Sequence, residues 1–190
     1  MNTFELPLYE LTIDDALGMY AVALVKSPAM QAKWQAFGSQ QEPIKFAVQD
    51  EEQRKVLAVL CRADFPIYRR DPDGFEYYVI FRKDTIEELL RRLFKNSFQN
   101  EVNVEHDDSV RLDGVYLEQM FIKNTEKGIA PKGFEEVEEG SAFAQYKVVD
   151  DDVWEAVKRG IFTGISLEGY FKANRVGGEM TIEDLLKQAE

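Results

Sequence analysis

One serine and one histidine are the side chains best suited to chemistry. Ser166 lies in Ile161–Phe171 (IFTGISLEGYF), where β-branched, aromatic and apolar residues predict a β-strand. Because strand side chains alternate between faces, Ser166 and Glu168 share one face and Ile165 and Leu167 the other, which we expect to be the core face. A serine hydroxyl is a weak nucleophile until a base removes its proton. Ser166 therefore needs a basic partner.

His106, the only histidine, is the candidate base. It closes a predicted strand, Glu101–His106, and is followed by Asp107 and Asp108. Imidazole exchanges protons near neutral pH, which suits general-base catalysis. The same residue could instead be a half-buried histidine bonded to a loop carbonyl. Sequence separation does not decide between the two interpretations, because catalytic triads are recognised by geometry.

Composition narrows the class of protein. The formal net charge of −12 disfavours binding to phosphate backbones, so no nucleic-acid partner is expected. The longest apolar runs are shorter than the roughly 18 residues of a membrane span, and the first residues lack a secretory signal. The single cysteine, Cys61, predicts a buried small side chain in a reducing cytoplasm. One histidine and one cysteine predict no structural metal site, and no cofactor is expected.

The remaining elements must position these side chains. Amphipathic spacing predicts a helix over Thr85–Lys95, with a capping box formed by Thr85 and Glu88, and another over Asp150–Arg159. Weaker patterns predict helices over Ala29–Phe37 and Thr181–Ala189. The strands mostly follow one another directly. This predicts an α+β fold with a mainly antiparallel, β-barrel-like sheet surrounded by three or four helices.

Two connections are informative. Asp71–Gly74 (DPDG) predicts a tight turn between the extended segment Phe65–Tyr68 and the strand Phe75–Phe81. Asn124–Gly140 has little periodicity and predicts a long, exposed and mobile loop that borders the substrate groove. No domain boundary is evident, so residues 1–190 are predicted to form one domain, in which residues 1–53 could be a looser N-terminal layer.

Several segments of the chain carry a family resemblance. In the same order along the chain, they resemble the phage prohead proteases, and in particular the phage serine proteases called XkdF-like. These segments are Ala23–Met30 (ALVKSPAM), Phe65–Phe81 (FPIYRRDPDGFEYYVIF), Asn96–Asp107 (NSFQNEVNVEHD) and Ser141–Phe171 (SAFAQYKVVDDDVWEAVKRGIFTGISLEGYF). The resemblance implies a fold like that of herpesvirus assemblin and the prohead proteases, with a β-barrel-like sheet and surrounding helices.

The resemblance also implies an activity. The chain would be a serine endopeptidase of capsid maturation that acts in the host cytoplasm, inside the assembling procapsid. Its substrates would be scaffold and major capsid proteins, and itself, and the chain could self-associate. Ser166 would be the nucleophile and His106 the base, and the two should lie on neighbouring strands with their side chains on the same face.

The sequence alone does not identify a single third catalytic residue. Relatives place an acidic residue or a second histidine downstream of the serine, in a window that ends here near Glu190. Glu183 is the first choice, and Asp107 and Glu168 are alternatives because they lie close in sequence to the proposed pair. Such a carboxylate orients the imidazole and stabilises its protonated form.

Two other functions remain possible. The chain could be a catalytically silent relative, acting as a capsid-assembly or scaffold-associated binding domain of the same fold. It could also be an unrelated acidic binding protein of the cytoplasm.

Overall fold

The computed structural model describes residues 6–13, 18–26, 47–50 and 53–176. This part of the chain contains twelve β-strands, two α-helices and a 3-10 turn at Thr125–Lys127. The helices are α1 (Lys83–Lys95) and α2 (Asp151–Lys158). The strands are β1 (Leu8–Ile13), β2 (Met19–Val25), β3 (Ala47–Asp50), β4 (Lys55–Cys61), β5 (Ile67–Arg70), β6 (Glu76–Phe81), β7 (Val102–Val104), β8 (Asp107–Arg111), β9 (Val115–Ile122), β10 (Ala142–Val148), β11 (Gly164–Gly169) and β12 (Phe171–Arg175).

The strands form three four-stranded sheets, ordered β12-β1-β6-β5, β3-β4-β10-β9 and β11-β2-β7-β8. Most pairs are antiparallel, but β1 pairs with β6 and β2 with β7 in parallel. These two pairings join strands far apart in sequence, so the order of strands within a sheet does not follow their order along the chain.

The predicted fold class is wrong. The described chain is mainly β, with three small open sheets in place of one closed barrel, and its two helices do not surround a barrel. The error arose because consecutive strands were assumed to be neighbours in a single antiparallel sheet. The helices predicted over Ala29–Phe37 and Thr181–Ala189 lie outside the described residues.

The three sheets share one apolar core. It includes Leu24 of β2, Val79 of β6 and Tyr146 of β10, and both helices pack against it through residues such as Leu89 and Trp154. Burial of such side chains is the main favourable term in folding. Cys61 is buried in the same core, as predicted, and burial raises the pKa of its thiol.

Helix α1 has the predicted apolar stripe, except that Phe94, predicted as its last member, is exposed, and the helix starts earlier than predicted. Ile86, Leu89, Leu90 and Leu93 are buried. The N-cap is Arg82, whose side chain makes no capping hydrogen bond, so the capping box predicted from Thr85 and Glu88 is wrong. The second helix begins as its acidic start predicts, because the Asp150 side chain accepts a hydrogen bond from the Val153 N–H.

The segment predicted as an exposed and mobile loop, Asn124–Gly140, is mostly exposed, but two of its residues are buried. Phe134 and Val137 are buried in a second apolar cluster, on the face of β4 and β10 turned away from the main core, with Leu57, Val59 and Phe143. The Lys123 ammonium, also buried, donates to the carbonyls of Phe134, Glu135 and Val137 at 3.3, 3.0 and 2.6 Å. Two buried apolar residues and one buried cation therefore hold a segment that is otherwise exposed, as its composition predicts.

Within the described residues, no helix is long and apolar enough to span a membrane.

Candidate active site

The site lies on the sheet β11-β2-β7-β8. Ser166 of β11 is opposite Ala23 of β2, and Ala23 is opposite Asn103 of β7. Glu168 is opposite Ala21. Directly paired residues project from the same face of a sheet, so Ser166, Glu168 and Asn103 share one face. The two alanines leave room between the larger polar side chains.

The alternation of β11 follows the predicted pattern over a shorter strand. Ile165 is buried in the main core and Leu167 packs against it, which leaves Ser166 and Glu168 on the other face. The strand covers Gly164–Gly169 only. Phe162 lies outside it and packs against the main core, although the longer predicted strand placed it on the serine face.

His106 lies in a turn, not in a strand as predicted. Strand β7 ends at Val104, and Glu105 and His106 form the two-residue connection to β8, with φ values of 52° and 63°. Two positive φ angles are typical of a type I′ hairpin turn, which matches the right-handed twist of the flanking strands. The Glu105 N–H donates to the Leu24 carbonyl at 3.0 Å, and Glu105 Oε1 accepts from the Lys26 N–H at 2.6 Å. The turn is thus attached to β2.

This turn directs the imidazole toward β11. Nδ1 of His106 lies 3.2 Å from Oε1 of Glu168, with side-chain exposures of 44% and 8%. A carboxylate accepts from an N–H, so the proton of the neutral imidazole belongs on Nδ1 and Nε2 is left as the basic nitrogen. Orientation of this kind is what the acidic member of a catalytic triad provides.

The Glu168 carboxylate has two further polar neighbours. Asn103 Nδ2 donates to Oε1 at 2.7 Å, and the Tyr20 hydroxyl lies 3.5 Å from Oε2. Tyr20 reaches this face because of a bulge, in which one step from Glu168 to Gly169 corresponds to two residues of β2. Burial, followed by the charge of Glu168, raises the pKa of Tyr20. Its hydroxyl therefore stays protonated at neutral pH and can donate.

Ser166 itself is half-buried, and its strand is not a neighbour of β7. Ser166 and His106 were expected on neighbouring strands, but β2 separates β11 from β7. Two strand spacings amount to roughly 10 Å between the Cα atoms of Ser166 and Asn103. No hydrogen bond joins Ser166 Oγ to His106 in the described structure. Catalytic hydrogen bonds are often long without substrate.

The alternative acidic candidates differ in placement. Asp107 is exposed, and its Oδ1 accepts from the N–H and hydroxyl of Ser109 at 2.9 and 2.5 Å. These hydrogen bonds hold the pKa of the Asp107 carboxyl below its usual range. Asp107 thus stabilises the start of β8. Glu183 lies outside the described residues.

Comparison with known families completes the description of the site. A family described as "Putative phage serine protease XkdF" matches residues 45–175, which is more than half of the chain. The chain belongs to this family. No curated protein and no solved structure gives a significant match.

The XkdF family match covers Asn103, His106, Ser166 and Glu168 but not Tyr20. Sequence reasoning missed both Asn103 and Tyr20. Asn103 had a usable signal, since it is a polar residue between Val102 and Val104 and must face away from them. Tyr20 had none, because only the bulge in β2 places it beside Glu168.

Within the described residues, histidine, cysteine and acidic side chains form no group of three or more that could hold a metal ion.

Proposed function

We propose that this chain is an active serine endopeptidase of tailed-phage capsid maturation, with Ser166 as nucleophile, His106 as base and Glu168 as the orienting carboxylate. One observation carries the proposal: Nδ1 of His106 rests against a buried carboxylate that shares a strand and a face with Ser166. Membership of a phage serine protease family supports the reaction class.

The roles follow from the chemistry of the three groups. His106 Nε2 takes the hydroxyl proton as Ser166 Oγ attacks the carbonyl carbon of a peptide bond, and it then delivers that proton to the leaving amine. Water, activated by the same imidazole, releases the acyl group. Glu168 stabilises the imidazolium formed in between.

Reaction requires the His106 ring to approach Ser166. His106 is 44% exposed and lies in the turn between β7 and β8, so the proposal has the ring rotate toward Ser166 while Nδ1 remains near Glu168. The Cα atoms of Ser166 and Glu168 are about 7 Å apart, as for any two residues separated by one in a strand. An imidazole that bridges the two side chains fits this span.

The proposed substrates are scaffold and major capsid proteins inside the procapsid in the host cytoplasm, and the chain itself. The resemblance to prohead proteases supports this assignment, and so does the phage origin of the family. Self-association of the chain within the procapsid belongs to the same proposal.

The test is cleavage of the scaffold and major capsid proteins co-expressed from the same phage, followed on gels at equal amounts of folded protein. We expect fragments with wild type and none with Ser166→Ala or His106→Ala, because loss of either member of a nucleophile–base unit removes most of the rate. Ser97→Ala, an exposed serine at the end of α1, is the matched control and should cleave normally.

Labelling with a fluorophosphonate gives an independent readout, since Ser166 should carry the adduct. Cleavage by Ser166→Ala at the wild-type rate would place the nucleophile elsewhere. If wild type neither cleaves nor labels, the silent binding domain becomes the better interpretation.

A further inference from the structure

We infer that Asn103 is a positioning residue, which holds the Glu168 carboxylate so that its Oε1 stays directed at His106 Nδ1. The inference rests on the proposed function and assigns a role to a residue that does not touch the reacting atoms.

The first argument is the shared acceptor. Asn103 Nδ2 donates to Glu168 Oε1 at 2.7 Å, and His106 Nδ1 lies 3.2 Å from the same oxygen. The amide is neutral over the whole working pH range, whereas the imidazole changes charge during catalysis. A neutral donor therefore keeps Oε1 in place whether or not His106 carries its extra proton.

The second argument is burial. Asn103 is 4% exposed and Glu168 is 8% exposed, so water contributes little to this contact. A buried carboxylate needs hydrogen bonds to offset its desolvation. Asn103 provides the shortest of them, since the Tyr20 hydroxyl is 3.5 Å from the other oxygen. Loss of the amide would leave the partly exposed imidazole as the closest remaining partner.

The third argument is the orientation of the amide. Nδ2 lies near two carboxylates, Glu168 at 2.7 Å and Asp108 at 3.4 Å. Asn103 Oδ1 is buried and has no hydrogen-bond partner among the described residues. The reversed amide would direct Oδ1 at both carboxylates, which repel it. The orientation of the amide therefore satisfies the donor Nδ2 and leaves the acceptor Oδ1 unpaired.

The backbone explains how the amide reaches β11. Asn103 pairs with Ala23, and Ala23 pairs with Ser166. The small alanine side chain leaves space above β2, and the amide occupies it as it extends toward β11. The contact crosses β2 diagonally, because Glu168 is opposite Ala21, two residues from Ala23.

The test replaces Asn103 by leucine, which has a similar branched shape but no donor. In the wild-type protein labelled with ¹⁵N-histidine, the single histidine gives one pair of imidazole nitrogen signals, and these report which nitrogen carries the proton. We expect mainly the Nδ1–H tautomer in the wild type and a larger Nε2–H population in Asn103→Leu. The rate of cleavage, measured as kcat, should fall by roughly 10–100-fold with little change in KM, by analogy with the loss of an outer hydrogen bond to a metal ligand.

Two controls separate positioning from stability. Asn174→Leu removes an exposed amide that donates to Thr12 Oγ1 at 2.9 Å, and it should change neither the tautomer nor kcat. If Asn103→Leu does not fold, Asn103→Ser gives the same readout, because the serine hydroxyl is too short to reach Glu168.

The outcomes distinguish this inference from the proposed function. A tautomer shift in a protein that never cleaves would support the positioning role and overturn the protease proposal. An active wild type whose tautomer and kcat are unchanged by Asn103→Leu would overturn the positioning role alone.

Discussion

His106 Nδ1 lies 3.2 Å from Glu168 Oε1, so an exposed turn residue is paired with a buried carboxylate two strands away. The contact brings together two residues 62 positions apart in the numbering, on opposite sides of β2. It also places one of the three acidic candidates, Glu168, beside the imidazole. Glu183, the first choice from sequence, remains a prediction because it lies outside the described residues.

The first prediction compares the three acidic candidates. Glu168→Gln keeps the size of the side chain but removes the charge that stabilises the imidazolium. We expect cleavage to fall by about 10³–10⁴-fold, as for the acidic member of a triad. Asp107→Asn should cleave nearly as well as wild type, because Ser109 holds that carboxylate in the β8 turn. The measurement is kcat/KM on one substrate, and a larger loss with Glu183→Gln than with Glu168→Gln would restore Glu183 as the third member.

Local signals in the sequence predicted local structure well. The hairpin across Asp71–Gly74 is confirmed: β5 and β6 pair in antiparallel, and Gly74 adopts the positive φ of 87° that its lack of a side chain allows. The stripe of α1 is confirmed for the same reason, since helical spacing is a property of adjacent turns. The parallel pairings β1–β6 and β2–β7 could not be predicted, because no neighbouring residues encode them.

The site was predictable only in part. Period-two alternation placed Ser166 and Glu168 on one face, which the pairing of β11 agrees with. The approach of His106 depends on a turn at Glu105 and His106, and neither residue is the glycine or asparagine that usually indicates a type I′ turn. The insertion of β2 between the two halves of the site is again a nonlocal pairing.

The second prediction concerns the end of α1. Ser97 has φ 60°, its N–H donates to the Phe94 carbonyl at 3.1 Å, and the Phe98 N–H donates to the Leu93 carbonyl at 3.1 Å. This is the Schellman arrangement, which favours glycine at the left-handed position. Ser97→Gly should therefore raise the free energy of unfolding by about 1 kcal/mol, measured by urea denaturation. Ser109→Gly, in strand β8, should lower it by a similar amount, and equal shifts in both variants would contradict the argument.

The third prediction concerns the buried ammonium of Lys123. Lys123→Met keeps the aliphatic chain but leaves the carbonyls of Glu135 and Val137 without their donor, while the Phe134 carbonyl keeps the Val137 N–H. Unpaired buried acceptors are costly, so we expect a loss of roughly 2–4 kcal/mol in the free energy of unfolding.

Limited proteolysis gives a second readout of the same variant. Residues 124–140 should be cut early in Lys123→Met and late in wild type, because the cation fixes the segment to the protein. Lys127→Met, at an exposed position in the same segment, is the control and should behave as wild type. Early cutting of the wild type would show that the segment is mobile after all.

The last prediction concerns the alanine between the two halves of the site. Ala23 is fully buried and separates Ser166 from Asn103 in one row of β11, β2 and β7. Ala23→Val adds bulk that the row has no room for, which should cost about 1–3 kcal/mol in stability. Ala144→Val adds the same bulk in β10, where Ala144 is also fully buried, but in a different sheet from the row that holds Ser166. Both variants should lose similar stability.

Only Ala23→Val should also lose activity per folded molecule, by about 10²-fold, because a displacement of about 1 Å in a catalytic group has an effect of that size. The measurement is the cleavage rate of each variant, normalised to the amount of folded protein. Equal rates in the two variants would mean that the position of Ser166 does not depend on this row.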